Sequence, residues 1–523
     1  MGGSIMNKKV FTILLAGFFC VIAVFHFQIN LNKRSQAPSK EWSKEVLISS
    51  GNVFGNPSLL KFKDNYIVAH GDGKNIKVIE VDKMGKSLNE KYFSARGVEP
   101  RSTSVLTDGE NLYIYWIVSE SGTKSVCSIK LDDKFNMIEE SNISGINEIV
   151  SVGNSMLAVN YGNKIEVTDL TAGKKYSMPA NEAEFLNSAK NKTSYIVSFK
   201  DKSGEIKFFT IKDGSPSEVK TVVQLGDVTS IVYVNSALTA DDTYAYLLME
   251  YRNKGDFGGT KEIKFSLTGQ DKANINEFKM DRGRIYISDI TSYYEEGSAK
   301  FLARASMPFD KKRQYDNIVE YDMTKRGDFT QVSRTKELSM YPSGAEKTVL
   351  FCDFIEKDKI NVYMASKNGQ FIEAHGGQRY SEIKLALIDT ISGILFSFVY
   401  IIPYGALWVV PIIGVISVYS ILEFKITSKK KRIYFALIYC SFFIFKLLGI
   451  RFVSFKRFGY FLPEFMSIGL SVFISLLISL LCGIYAYSKY SKGIEHNMGA
   501  TDLFMPVVYD TILTLMVFVP FMV

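Results

Sequence analysis

Cysteine, histidine and tryptophan are scarce in this chain of 523 residues, with 5, 4 and 3 copies. No Cys-x-x-Cys pair occurs, and His26, His70, His375 and His496 are scattered, so a zinc site built on these ligands has no support. Gly-x-Ser-x-Gly, His-Glu-x-x-His, Walker and dinucleotide fingerprints are missing too. Those patterns place nucleophiles, metal ligands or phosphate-cradling amides at fixed spacings. Neither a common hydrolase nor an ATP-driven motor is therefore written in the chain, and no metal, cofactor or catalytic residue is expected. Cys20, Cys440 and Cys482 sit in apolar runs as small buried hydrophobes. Cys127 and Cys352 lie in the polar middle, where sequence supplies no geometry for a bridge.

Charge of one sign is also missing from the middle. The chain carries 62 Lys+Arg against 54 Asp+Glu, a formal net charge of +8. Residues 1–44 hold 6 basic and 1 acidic side chains and residues 383–523 hold 12 and 6, which leaves 44 against 47 between them. The positive excess belongs to the ends, where anionic lipid headgroups attract it. A near-neutral centre gives a nucleic-acid partner no electrostatic footing.

Long apolar runs are absent from the centre and concentrated at the ends. Met6-Asn7-Lys8-Lys9 precedes an apolar stretch at 10–29, which has the order of a signal sequence but exceeds the usual apolar core and lacks a small-residue cleavage site. It reads as an uncleaved signal anchor, with 30–45 as a short stalk containing Pro38. Further runs occupy 383–403, 404–424, 433–450, 465–487 and 503–523. A helix needs about 20 residues to cross ~30 Å of hydrocarbon. The block 383–424 is twice that length, so it is either two crossings turning at Pro403-Tyr404-Gly405 or one crossing plus a re-entrant or interfacial piece, giving six or five spans. With six, and the central module outside, the loop bearing Lys425, Lys429, Lys430, Lys431 and Arg432 would face outward, against the positive-inside rule. A single crossing removes the conflict and leaves Arg451, Lys456 and Arg457 on the far side. Glu423, Lys446, Arg451 and Glu464 read as interfacial anchors, with a buried Glu464–Lys446 pair as the sharper expectation.

Between 46 and 374 the helical period gives way to short β-branched and aromatic runs between Gly, Asn and Asp turns. Lys77-Val78-Ile79-Glu80-Val81, Tyr195-Ile196-Val197-Ser198-Phe199 and Tyr244-Ala245-Tyr246-Leu247-Leu248-Met249 are examples. Units begin near Gly55, Arg101, Ile146, Glu182, Val228, Phe278 and Ala345, mostly at the 40–50 residue pitch of propeller blades. One four-stranded sheet cannot bury both faces, whereas a closed ring of them can. The expected fold is an all-β propeller of about seven blades, outside the cytoplasm, joined by a linker at 375–382 to an α-helical transmembrane bundle at 383–523. The charged stretch 309–334 reads as an insertion or an extra hairpin. The linker, with Gly376-Gly377 and then Arg379-Tyr380, is too short to be flexible and should hold the propeller close to the membrane.

Asn56-Pro57-Ser58-Leu59-Leu60 followed by Tyr66-Ile67-Val68-Ala69 resembles the opening blade of sialidase-like propellers. The resemblance covers one blade, and the Ser-x-Asp-x-Gly-x-x-Trp boxes of that group are missing, so it implies no catalytic residue. Gly71-Asp72-Gly73 and Asp108-Gly109 read as hairpin turns. Glu99 and Arg101, Asp241 and Asp242, and Tyr293-Tyr294-Glu295-Glu296 are the candidate ligand-binding residues on a propeller surface. The function expected is binding or assembly at the plasma membrane: recruiting a protein, peptide or glycan and coupling it to partner membrane subunits. A glycan-processing enzyme of the cell envelope and an accessory subunit of a transporter are the alternatives.

Overall fold

The structure is a computed structural model describing residues 8–522, apart from 121, 227–230, 254–255, 269–271, 280–285, 296–297, 326, 328, 357–358, 452–458 and 494–500. Met6, Asn7, Val228, Glu296, Lys456, Arg457 and His496 therefore lie outside the described residues. The chain divides into a β unit, Ala37–Phe309 with Arg313–Gly377, and a helical unit, Met1–Gln36 with Asp310–Lys312 and Gln378–Val523.

The β unit is a seven-bladed propeller. Seven antiparallel sheets follow one another; in six of them the first strand in sequence lies innermost, and in the seventh the innermost is Leu338–Ala345. These inner strands are Val53–Phe62, Thr103–Thr107, Glu148–Val152, Glu184–Lys190, Ile231–Ala240, Ile287–Glu295 and Leu338–Ala345. Burial between neighbouring blades explains the apolar runs. Leu60, Ile67, Ala69, Ile76 and Val78 of the first blade share one core with Val105, Leu112, Ile114 and Trp116 of the second. Strands covered on both faces read as continuous hydrophobic stretches. The outermost Met137–Ser144 is exposed along its whole length. The first five blades start within three residues of expectation, but blades six and seven start at Ile287 and Leu338. The stretch at 309–334 is neither an insertion nor an extra hairpin but part of blade six: Gln314–Asp322 and Thr330–Gln331 are its third and fourth strands. Its polar character misleads because Asn317 and Glu320 are buried with specific partners.

Closure is made by the beginning of the chain. Val46–Gly51 pairs antiparallel with Lys359–Ser366 and so forms the outer strand of the last blade. The expected stalk is correspondingly short, since helix α1 (Lys8–Arg34) continues through its first residues. Trp42 is fully buried against Tyr293, and the Ser43 amide donates to the Ser366 carbonyl at 3.0 Å. Lys44 Nζ donates to the Gly377 carbonyl at 3.0 Å, which ties the entering segment to the leaving one. Helix α2 (Gly369–His375) follows the last strand; its buried Phe371 packs on Gly85 and Val46 of the β unit. Only 376–379 remain as linker before α3 (Tyr380–Val399) begins.

Inner strands of five blades carry register shifts. Four of these coincide with left-handed backbone at Gly55, Phe185, Asp289 and Tyr341. Such bulges bend a strand and sharpen its twist, as strands crowded round an axis require.

The helical unit contains α1, α3, α4 (Ala406–Leu422), α5 (Ser428–Ile450), α6 (Ile468–Gly493) and α7 (Thr501–Met522). Among the described residues, five helical segments are long and apolar enough to cross a membrane: Lys9–Arg34, Ile401–Leu422, Lys430–Ile450, Ile468–Ser488 and Phe504–Met522. No reversal occurs at Pro403-Tyr404-Gly405. A π-helical turn, Ile401–Gly405, joins α3 to α4 with right-handed helical backbone on both sides. Proline cannot supply the usual amide bond, and a widened turn accommodates it. Gly393 packs on Pro520 and Gly405 on Thr511, so the continuous helix runs antiparallel along α7. The block at 383–424 is thus one passage through the bundle.

Candidate functional site

Where the inner strands converge, each blade contributes a Ser or Thr beside larger side chains. Ser58, Thr103, Ser104, Ser151, Ser188, Thr239, Ser292 and Ser343 line a central cavity of about 460 Å³. Their hydroxyls are cross-linked: Ser151 Oγ donates to Ser104 Oγ at 3.0 Å, and Ser188 Oγ to the Ser151 carbonyl at 2.5 Å. At one mouth stand Lys190, Tyr294 and the exposed ion pair Lys61–Glu346, at 2.9 Å.

A second cavity, about 420 Å³, shares Tyr294 with the first. Asn191 and Lys192 come from the first hairpin of blade four, and Asp241 and Asp242 from that of blade five. Tyr244, Tyr246 and Lys264 follow on the strands of blade five. The Tyr246–Lys264 register pair sets the lysine over the rings, with Nζ 4.0 Å from the Tyr244 centroid and 5.3 Å from that of Tyr246. Lys190 stands 5.1 Å from the Tyr294 centroid. Cations on aromatic faces beside amides and carboxylates offer hydrogen bonds and charge to a polar chain.

The structure brings Asp241, Asp242 and Tyr294 together and separates them from Glu99 and Arg101. Those two lie in the connection between blades one and two, at the opposite end of the inner strands, and both are exposed. Asp241 Oδ1 accepts the amides of Thr243 and Tyr244 at 2.7 and 2.6 Å, and Oδ2 accepts the Tyr246 hydroxyl at 3.0 Å. Asp242 Oδ1 accepts the Lys192 amide at 3.3 Å, which joins the hairpins of blades four and five. Tyr293 is buried between blades six and seven, and burial pushes its phenol above the ordinary range. Glu295 belongs to a buried ion cluster. Lys300 Nζ reaches Glu295 at 2.5 Å and Glu320 at 3.0 Å, and Lys367 reaches them at 3.0 and 2.8 Å. Burial would raise the Glu295 carboxyl, but bonds from Lys300 and Lys367 outweigh it and hold the group low. Lys190, Asn191 and Lys264 carry no motif; only strand pairing gathers them.

The helical unit has its own polar centre. Lys446 on α5 and Asp510 on α7 form an ion pair at 2.6 Å with no exposed side-chain surface. Lys446 Nζ also donates to the Ser475 carbonyl at 3.1 Å and to Ser479 Oγ at 2.9 Å. Ser479 Oγ in turn donates to Asp510 Oδ2 at 2.6 Å. The expected Glu464–Lys446 pair is corrected: Glu464 is exposed beyond the short helical turn at Gly459–Phe461. Arg451 is exposed at the end of α5, and Glu423 pairs with Lys431 at 3.3 Å. Ser471, Ser475 and Ser479, buried at four-residue spacing, were the available signal for a polar seam on α6. At the end where α1 meets α3, Arg34 pairs with Asp389 at 2.6 Å, and His26 is buried with Nε2 3.0 Å from the Met516 carbonyl.

No protein-family model matches the chain, and no curated protein matches it. Among solved structures it is similar to the N-terminal domain of Nup159, at 10% identity over 63% of this chain and 97% of that one, TM-score 0.39. It is also similar to the β-propeller domain of the Trilobed protease from Pyrococcus furiosus, at 9% identity over 59% and 93%, TM-score 0.36. The Cps50 (Swd1) β-propeller domain of Myceliophteria thermophila matches at 10% identity over 61% and 99%, TM-score 0.38. The class is defined by the strand order: a seven-bladed β-propeller on a chain with, among its described residues, five helical segments apolar enough to span a membrane.

Proposed function

We propose that this chain is a binding protein of the plasma membrane, anchored by its helices, whose propeller recruits a protein, peptide or glycan outside the cytoplasm and couples it to partner membrane subunits. The observation that carries this is the pair of adjoining cavities sharing Tyr294, one walled by hydroxyls and one by lysine, tyrosine, amide and carboxylate. Such surroundings match a hydroxylated or peptide-like chain. Asp241 and Asp242 are held in hairpin hydrogen bonds, which favours holding a ligand over cleaving one.

The single passage of α3 and α4 supports the orientation. Arg34 meets Asp389 at one end of the helical unit, so the chain leaves α1 and enters α3 at the same end of that unit. An odd number of crossings later, the basic loop around 425–432 falls on the same side as Lys8 and Lys9, the cytoplasmic side under the positive-inside rule.

The test is to purify the full-length tagged chain in mild detergent, as wild type and as the pair Lys264→Glu with Tyr294→Ala. Bound protein and glycan are then identified by mass spectrometry. A species held by the wild type and lost from a variant of unchanged melting temperature supports the reading. Identical bound material in both sinks it. Cysteine placed at Lys192 should react with a membrane-impermeant maleimide in intact cells.

A further inference from the structure

An apolar groove of about 660 Å³ runs between α5 and α6. It is lined by one face of each helix, from Arg432 through Phe435, Tyr439 and Phe443 on α5, and from Tyr487 to Leu476 on α6. Ala436, Cys440 and Gly483 leave the space where larger side chains would close it. Gly483 packs on the Tyr439 ring, which a Cβ would approach to 3.0 Å. Of the hydroxyls in the lining, Ser479 Oγ is already engaged by Lys446 and Asp510, and the Tyr439 hydroxyl is buried away from the surface. The floor therefore offers hydrocarbon contact and little else.

We propose that this groove holds an acyl chain of one anionic glycerophospholipid, with its phosphate at Arg432. Length and charge identify the occupant. From Arg432 to Ile444 a helix rises about 18 Å at ~1.5 Å per residue, close to one leaflet of a ~30 Å hydrocarbon layer. A partner's membrane-crossing helix would need the full thickness. Arg432 stands exposed at the groove's end, next in sequence to Lys429, Lys430 and Lys431, and a guanidinium matches phosphate with two parallel hydrogen bonds. The lipid seated there would cover the flank of the helix pair that carries Lys446 and Ser479. The inference rests on the membrane-spanning reading of this unit.

The experiment is native mass spectrometry of the full chain in detergent with added phosphatidylglycerol or phosphatidylcholine, together with photolabelling by phosphatidylglycerol bearing a diazirine in its tail. The expected result is one phosphatidylglycerol adduct per chain, retained under activation that strips phosphatidylcholine. Labels should fall on peptides containing Cys440 or Leu480. Arg432→Gln should weaken the preference about tenfold, and Cys440→Phe should abolish labelling. Should a variant fail to fold, protection of the wild-type Cys440 thiol from maleimide by phosphatidylglycerol gives the same reading. Equal retention of both lipids, labels spread over all helices, or another protein's helix crosslinked at Cys440 overturns the proposal. A chain that alkaline carbonate releases from membranes overturns the membrane reading itself, whereas an embedded chain without the adduct overturns the lipid site alone.

Discussion

Asp510 lies 2.6 Å from Lys446, 64 positions earlier, and neither side chain reaches the surface of the helical unit. With Ser479 between them, the pair joins α5, α6 and α7 through charge-assisted bonds in surroundings that solvate neither charge. Removing one partner leaves the other buried and unpaired, which costs about 3–5 kcal/mol. Lys446→Met or Asp510→Ala should therefore lower the melting temperature in detergent strongly. The double variant Lys446→Met, Asp510→Leu should recover most of the loss. A double variant no better than the worse single one would show that the charges do more than lock the helices.

Asp353, buried in blade seven, takes a hydrogen bond from Ser339 at 2.7 Å, and Ser339 continues through Ser333 to Asn317 of blade six. Burial pushes its carboxyl up to about 7 from 3.8. The native state keeps the proton through this window while the unfolded chain releases it, so stability falls as pH rises from about 4 to about 7. Asp353→Asn should be neutral near pH 4 and stabilising at pH 8, by at most on the order of 4 kcal/mol. Thermal unfolding at both pH values checks it; an equal effect at each would refute the assignment.

Trp42 fills a buried site shared with Tyr293, Ile318, Val349 and Phe351, with Lys367 5.0 Å from its ring. Trp42→Ala should cost about 3–5 kcal/mol. The loss should be local first. Hydrogen exchange ought to quicken in Val46–Gly51 and Lys359–Ser366 before it does in blades two to four.

Gly55 has φ +69°, and a Cβ there would stand 1.8 Å from the Arg101 carbonyl oxygen. Gly55→Ala must displace the connection between blades one and two. Destabilisation well above the ~1 kcal/mol usual for surface changes is expected in denaturant melts, and an unchanged midpoint would mean that the connection yields freely.

Sequence reading reached the propeller because strands covered on two sides announce themselves, as Tyr195–Lys200 and Tyr244–Asn253 do. It lost register at blade six, where Asn317 and Glu320 look solvated yet are buried, the first bonded to Ser333 and Thr335 and the second to Lys300 and Lys367. A lone acidic residue in an apolar run gave no hint of its partner, so Lys446 was matched with nearby Glu464 and not with Asp510. The cleft was half visible: Asp241, Asp242 and Tyr294 carry local signals. Lys264 acquires meaning only when its strand is laid beside Tyr246. Whether 383–424 turned back or ran straight depended on backbone geometry at Pro403, which composition does not encode.

Because Val46–Gly51 completes the sheet begun by Leu338–Ala345, the ring cannot be clasped until the ribosome has made some three hundred further residues. Throughout that interval the nascent chain carries a strand with no mate and six blades in an unsealed arc, an invitation to edge-on association. Any truncation that removes the opening strand would make this juvenile condition permanent, while leaving every other blade chemically intact.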